Sequence, residues 1–174
     1  MLPEPLHPAV VHFPIVLAVL LPFFMIGALI AVRRGARPGR IWALPAGLAL
    51  LLLISTFAAV KTGEAQEETV ERVVSERVIH EHEEAAESFL IAVVILTLVG
   101  GAGLVRGRVG QVARGVGLAG SLAVLVMGAR VGHSGGEMVF KHGAASAYVT
   151  GGVPAAGKGG DGLNVPEREV EDER

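Results

Sequence analysis

The sequence contains no cysteine. That excludes disulfides, thiolate metal sites, thiol redox chemistry and covalent attachment of a c-type haem. Charge is also scarce: charged residues make up 18% of the 174, against about 25% in an ordinary soluble domain. Catalytic signatures are missing. There is no Walker A loop, no Gly-x-Ser-x-Gly and no His-Glu-x-x-His. His82-Glu83-Glu84-Ala85-Ala86 starts like the zincin pattern but lacks its second histidine. Together these absences argue against a soluble enzyme.

What is present is apolar and clumped. Hydrophobic residues make up 51%, and the mean hydropathy is +0.55. Four runs are nearly free of charge: Ala9 to Val32, Ile41 to Val60, Phe89 to Val105 and Val116 to Val131. A helix needs about 20 residues to cross the hydrocarbon. Backbone polar groups in lipid must be paired internally, and the runs are continuous, not alternating, so helices are expected over a β-barrel. The fold class read from the sequence is an all-α, integral membrane four-helix bundle. It occupies residues 1–149, and a polar, Gly-rich tail, 150–174, is expected to be disordered. The first run lacks a basic leader and is read as a retained span, not a signal peptide.

Charge sorts the loops. Arg33, Arg34, Arg37 and Arg40 separate the first two runs, and Arg106, Arg108 and Arg114 the last two, with no acid among them. Between the second and third runs lie Glu64, Glu67, Glu68, Glu71, Glu76, Glu81, Glu83, Glu84 and Glu87. Short arginine-rich loops stay in the cytoplasm. The expected topology therefore puts both termini and the acidic segment outside a bacterial inner (cell) membrane. Val70, Val74 and Val78 recur at helical spacing, which predicts one long helix from Glu64 to Val99 that projects above the membrane and enters it near Ala85. Gly63 would divide it from the second span. The basic residues are accounted for by topology, which argues against nucleic-acid binding. No span carries a mid-membrane charge or the broken-helix pattern of a transporter.

A faint repeat links Ala59-Val60-Lys61-Thr62-Gly63-Glu64 with Ala129 to Glu137, and each hairpin's first helix carries a histidine near its outer end. The pattern suggests two related hairpins side by side. All six histidines, His7, His12, His80, His82, His133 and His142, fall on the outer side of this topology. Cofactor and metal sites in bundles are built from facing helices. His12, His82 and His133 are expected to converge, with His142 folding back and His7 at the rim. His80, which leads to Glu84 and Glu87, is expected in water.

The pattern His7-Pro8-x-x-Val11-His12-Phe13-Pro14-Ile15, Thr62-Gly63, His82-Glu83 and Gly132-His133-x-Gly135-Gly136-x-Met138-Val139-x-x-His142-Gly143 resembles a widespread bacterial family of four-helix membrane proteins catalogued as a domain of unknown function. The resemblance covers roughly residues 6–148, with Met138 where the family often has Leu. Similar domains are fused to cytochrome c or Rieske-type modules, which implies a redox setting and an extracytoplasmic redox partner, with homo-oligomers an open possibility.

Three chemistries suit such histidines. The first is haem b, with His12 or His82 against His133 as axial ligands, Phe13 and Phe89 flanking, His142 nearby and Arg130 meeting a propionate. The second is a non-haem zinc, copper or iron site drawn from His7, His12, His82, His133 and His142 with Glu64, Glu83 or Glu137. The third is a structural membrane subunit whose histidines form a polar network.

Overall fold

Proline placement shapes the helices that the apolar runs form. The computed structural model describes residues 5–149; 1–4 and the expected disordered tail, 150–174, lie outside the described residues. Four helices are long and apolar enough to cross a membrane: α1 (His7–Arg33), α2 (Pro38–Glu64), α3 (Glu76–Ala102) and α4 (Arg108–Phe140). No strand occurs among the described residues. The helical ladder is interrupted at Val11 in α1 and at Trp42 in α2. Pro14 and Pro45 follow three residues later. Neither has the N–H that would return to the carbonyl four residues back, Val10 or Ile41. Each arginine hairpin turns on a glycine in the left-handed region, Gly35 at φ 95° and Gly107 at φ 83°.

The four helices close into a ring. α1 packs on α2 and α4, and α3 packs on α2 and α4, so α1 and α3 face each other across the diagonal. The core on the axis is made of Ala18, Leu21, Met25, Trp42, Ala49, Leu52, Phe89, Val93, Leu96 and Val124. At its arginine end Trp42 is fully buried, and its Nε1 donates to the Gly100 carbonyl at 2.9 Å. A Cβ on Gly103 would lie 2.2 Å from that nitrogen, so only glycine fits. Arg114 is buried beside this layer and donates to the Gly103 carbonyl at 2.7 Å, which closes the end of α3.

The two hairpins share one burial pattern. Pro14, Ala18, Leu21, Met25 and Ala28 are buried in α1, and at one constant offset along the chain so are Phe89, Val93, Leu96, Gly100 and Gly103. In α2 Trp42, Pro45, Ala49 and Leu52 are buried, and at a second constant offset so are Arg114, Gly117, Ser121 and Val124. The faint repeat in the sequence thus corresponds to two hairpins that bury equivalent faces.

The acidic segment differs from expectation. It is not one long helix. α2 ends at Glu64, a single turn covers Glu67–Val70, and Ser75 is extended at φ −69°, ψ 140° before α3 begins. The break lets Val74 and Ile79 fold onto Ala144, with Val70, Val73, Val78 and Met138 around them. A continuous helix would leave that valine stripe in water. α4 continues beyond Gly132 and runs through Gly135 and Gly136 to Phe140. A 3₁₀ turn, Ala144–Tyr148, then folds back over the histidine end.

Candidate functional site

At the end of the bundle opposite the arginines, α1 and α3 each send one imidazole toward the axis. His7 Nδ1 lies 2.8 Å from the Ala59 carbonyl and 3.3 Å from Thr62 Oγ1 on α2. A carbonyl only accepts, so Nδ1 donates and carries the proton. His82 Nδ1 lies 2.8 Å from Ser134 Oγ on α4. The same hydroxyl reaches the Val131 carbonyl at 3.0 Å, and when its proton is directed there Nδ1 of His82 is the donor. In that arrangement both neutral rings keep Nε2 as a bare lone pair. The ring centroids are 6.5 Å apart and the planes stand at 85°.

The two halves of the site repeat each other. His7 and His82 are related by the same offset as the buried faces of α1 and α3. Thr62-Gly63 and Ser134-Gly135 are related by the same offset as the buried faces of α2 and α4. Thr62 Oγ1 donates to the Ala59 carbonyl at 2.9 Å, as Ser134 does to Val131. Each ring lies over a glycine. A Cβ at Gly63 would sit 3.3 Å from His7 Cε1, and one at Gly135 would sit 3.2 Å from His82 Cε1. Two turns further into the bundle on α2, buried Thr56 has a hydroxyl without a hydrogen-bond partner among the described residues; its counterpart on α4 is Gly128, against which the Phe89 ring rests.

An outer layer holds the mouth of the bundle. With the Gln66 amide turned so that both ends are satisfied, its oxygen accepts the Leu6 N–H at 2.7 Å and the His7 N–H at 3.3 Å. Its nitrogen then reaches the Tyr148 hydroxyl at 3.2 Å. Gln66 thereby ties the first turn of α1 to the segment that follows α4.

The other candidates stand apart from this pair. His12 is exposed. It lies five residues from His7, about 140° around the helix, so both cannot face the axis. The expected convergence of His12 and His133 with His82 is therefore replaced by His7 with His82. His133 is on the outer flank of α4, its side chain 77% exposed and 3.4 Å from Glu137, which also pairs with Lys141. His142, Arg130 and His80 are exposed. Glu64 pairs with Lys61 at 2.5 Å. Glu83 is half-buried and faces Glu67. Phe13 is exposed, whereas Phe89 is buried. Among the described residues no three His, Asp or Glu side chains are grouped to hold a metal ion.

Sequence reasoning placed His7 at the rim and missed Thr62 and Ser134 as the hydroxyls beside the two rings. The signal that could have found them is the recurrence of a hydroxyl residue followed by glycine, Thr62-Gly63 and Ser134-Gly135, each answered by a histidine on the preceding helix.

A ring of four apolar helices with a doubled histidine motif at one end defines an integral membrane protein built from two similar hairpins. The chain belongs to the DUF2231 family of predicted membrane proteins, whose sequence profile matches residues 3–147. No curated protein and no solved structure matches it.

Proposed function

We propose that this protein is a membrane redox carrier that binds b-type haem, with His7 and His82 as the two axial ligands. The observation that carries the reading is the pair of imidazoles with centroids 6.5 Å apart, each with Nδ1 hydrogen-bonded to a neighbouring helix and with no partner for Nε2 among the described residues. Metal-binding histidines are commonly oriented in this way, by a hydrogen bond from the other ring nitrogen. His7 and His82, with ring centroids 6.5 Å apart, would be the residues that hold the group.

Haem supplies four nitrogens of its own and asks the protein for only two. A zinc, copper or non-haem iron site takes three or four protein ligands, and among the described residues no third histidine or carboxylate joins the pair. The donor set thus favours haem over the non-haem alternative. The chemistry haem would supply is one-electron transfer. The protein's own part would be to orient the two rings through Nδ1, from α2 for His7 and from α4 for His82. By the positive-inside rule the arginine end is cytoplasmic, which puts the pair at the extracytoplasmic face, where a redox partner would exchange electrons.

The test is spectroscopic. The protein is expressed with adequate haem, purified in mild detergent, and its oxidised and dithionite-reduced visible spectra are recorded with elemental analysis. The expected result is a Soret band and a sharp reduced α band, lost in His7→Ala and in His82→Ala and kept in His12→Ala and His133→Ala. Stoichiometric zinc, copper or iron without those bands would replace haem by a non-haem metal. Well-folded protein with neither would leave a structural subunit.

A further inference from the structure

At the arginine end the outer wall of the bundle carries two apolar grooves, one on each hairpin. The first, about 550 Å³, lies between α1 and α2, where Phe23, Phe24, Gly27, Ile41 and Leu44 form the walls and Arg40 borders them. The second, about 510 Å³, lies between α3 and α4, where Val99, Ala102, Val109, Val112 and Val116 form the walls and Arg108 borders them. The grooves correspond through the repeat. The offset that carries α1 onto α3 turns Phe24 and Gly27 into Val99 and Ala102, and the one that carries α2 onto α4 turns Leu44 into Val116.

Among the described residues the cations at this end have no anion. No Asp or Glu occurs between Pro5 and Gly63 or between Ser88 and Gly136. Among the described residues no ion pair involves Arg33, Arg34, Arg37, Arg40, Arg106 or Arg108. Arg114 already donates to backbone carbonyls. No described residue supplies these arginines with an anion, which leaves them open to one from the membrane. In a membrane protein the anion that arrives attached to an apolar chain is a phospholipid. Its phosphate matches the donor fork of a guanidinium, and basic pockets between membrane helices are suited to anionic headgroups.

We propose that each hairpin holds one anionic phospholipid, with its phosphate on Arg40 or Arg108 and an acyl chain in the adjoining groove. The inference is independent of any ligand at the histidine end. A zwitterionic lipid offers the same chain and phosphate. Its choline, however, adds a cation beside a cluster of uncompensated arginines.

The experiment uses the full chain in nanodiscs of equal phosphatidylglycerol and phosphatidylcholine. The protein is extracted in gentle detergent, and retained lipids are counted by native mass spectrometry. Wild type should retain about two phosphatidylglycerol molecules in preference to phosphatidylcholine. Arg40→Gln and Arg108→Gln should each lose one, with the preference falling about five-fold per arginine. Leu44→Trp, which fills the first groove and leaves every charge in place, should also lose one. Arg34→Gln, outside both grooves, should retain both. Equal retention of the two lipids by wild type would overturn the proposal. So would an Arg34→Gln loss as large as that of Arg40→Gln, since diffuse charge would then explain the preference. Circular dichroism and gel filtration check that each variant is folded, and an unfolded Leu44→Trp leaves the two arginine variants to decide.

Discussion

His7 and His82 differ from the other four histidines in one respect: a second helix claims their Nδ1. His82 depends on a side chain for this, Ser134, whereas His7 has a backbone carbonyl, Ala59, with Thr62 beside it. The two halves should therefore respond unequally to loss of the hydroxyl. Ser134→Ala is expected to weaken haem retention by about 10–100-fold, the usual effect of removing a group that orients a ligand. Thr62→Ala should change it little. Equal losses in the two variants, read by haem titration of the apoprotein, would mean that orientation through Nδ1 is not what matters. At the opposite end Gly103 is set by Trp42. Gly103→Ala forces a Cβ to within 2.2 Å of the indole nitrogen and is expected to destabilise the bundle by ~1–3 kcal/mol. The check is a lowered midpoint of thermal unfolding in detergent; an unchanged midpoint would contradict the packing described at Trp42.

At the scale of elements, the outer segment is a small structure pinned to the bundle. Val74 and Ile79 are buried only against Ala144 and its neighbours, away from the main core. Ile79→Ala should cost about 2–5 kcal/mol, and the loss should fall on residues 65–75 and 144–148, not on the spans. Hydrogen exchange is expected to rise in those two segments together and to remain slow within α1 to α4. A uniform rise throughout would show that the segment and the bundle unfold as one unit. The sequence pattern was right about valines at helical spacing and wrong about continuity. Spacing alone could not reveal that Ser75 is extended, because what rewards the break is burial against Ala144, which lies beyond the whole of α4 in the chain.

For the whole molecule, the topology rests on the charge asymmetry of its ends. The absence of cysteine makes any introduced one unique. Gln111→Cys, in the first turn of α4, is expected to react only with a membrane-permeant maleimide in intact cells. Glu71→Cys, in the acidic segment, should react with an impermeant one. The reverse pattern would invert the protein and place the histidine pair at the cytoplasmic face. The paired hairpins add a second expectation at this scale: His7→Ala and His82→Ala should affect the proposed haem binding to a similar extent, because the two histidines stand at equivalent positions.

The sequence by itself determined how many spans there are, where they turn and which end carries the histidines. Those features depend on local composition: lipid selects apolar runs, and arginine and glutamate mark the water on either side. It did not determine which histidines face the axis. In water, periodicity separates core from surface, but lipid is as apolar as the core, so exposed Phe13 and buried Phe89 are indistinguishable as residue types. Only the packing of α1 against α2 and of α3 against α4 brought His7 to the Ala59 carbonyl and His82 to Ser134, partners remote in the chain. A carbonyl acceptor leaves no mark in a sequence, so tertiary structure alone turned His7 inward and left His12 facing out.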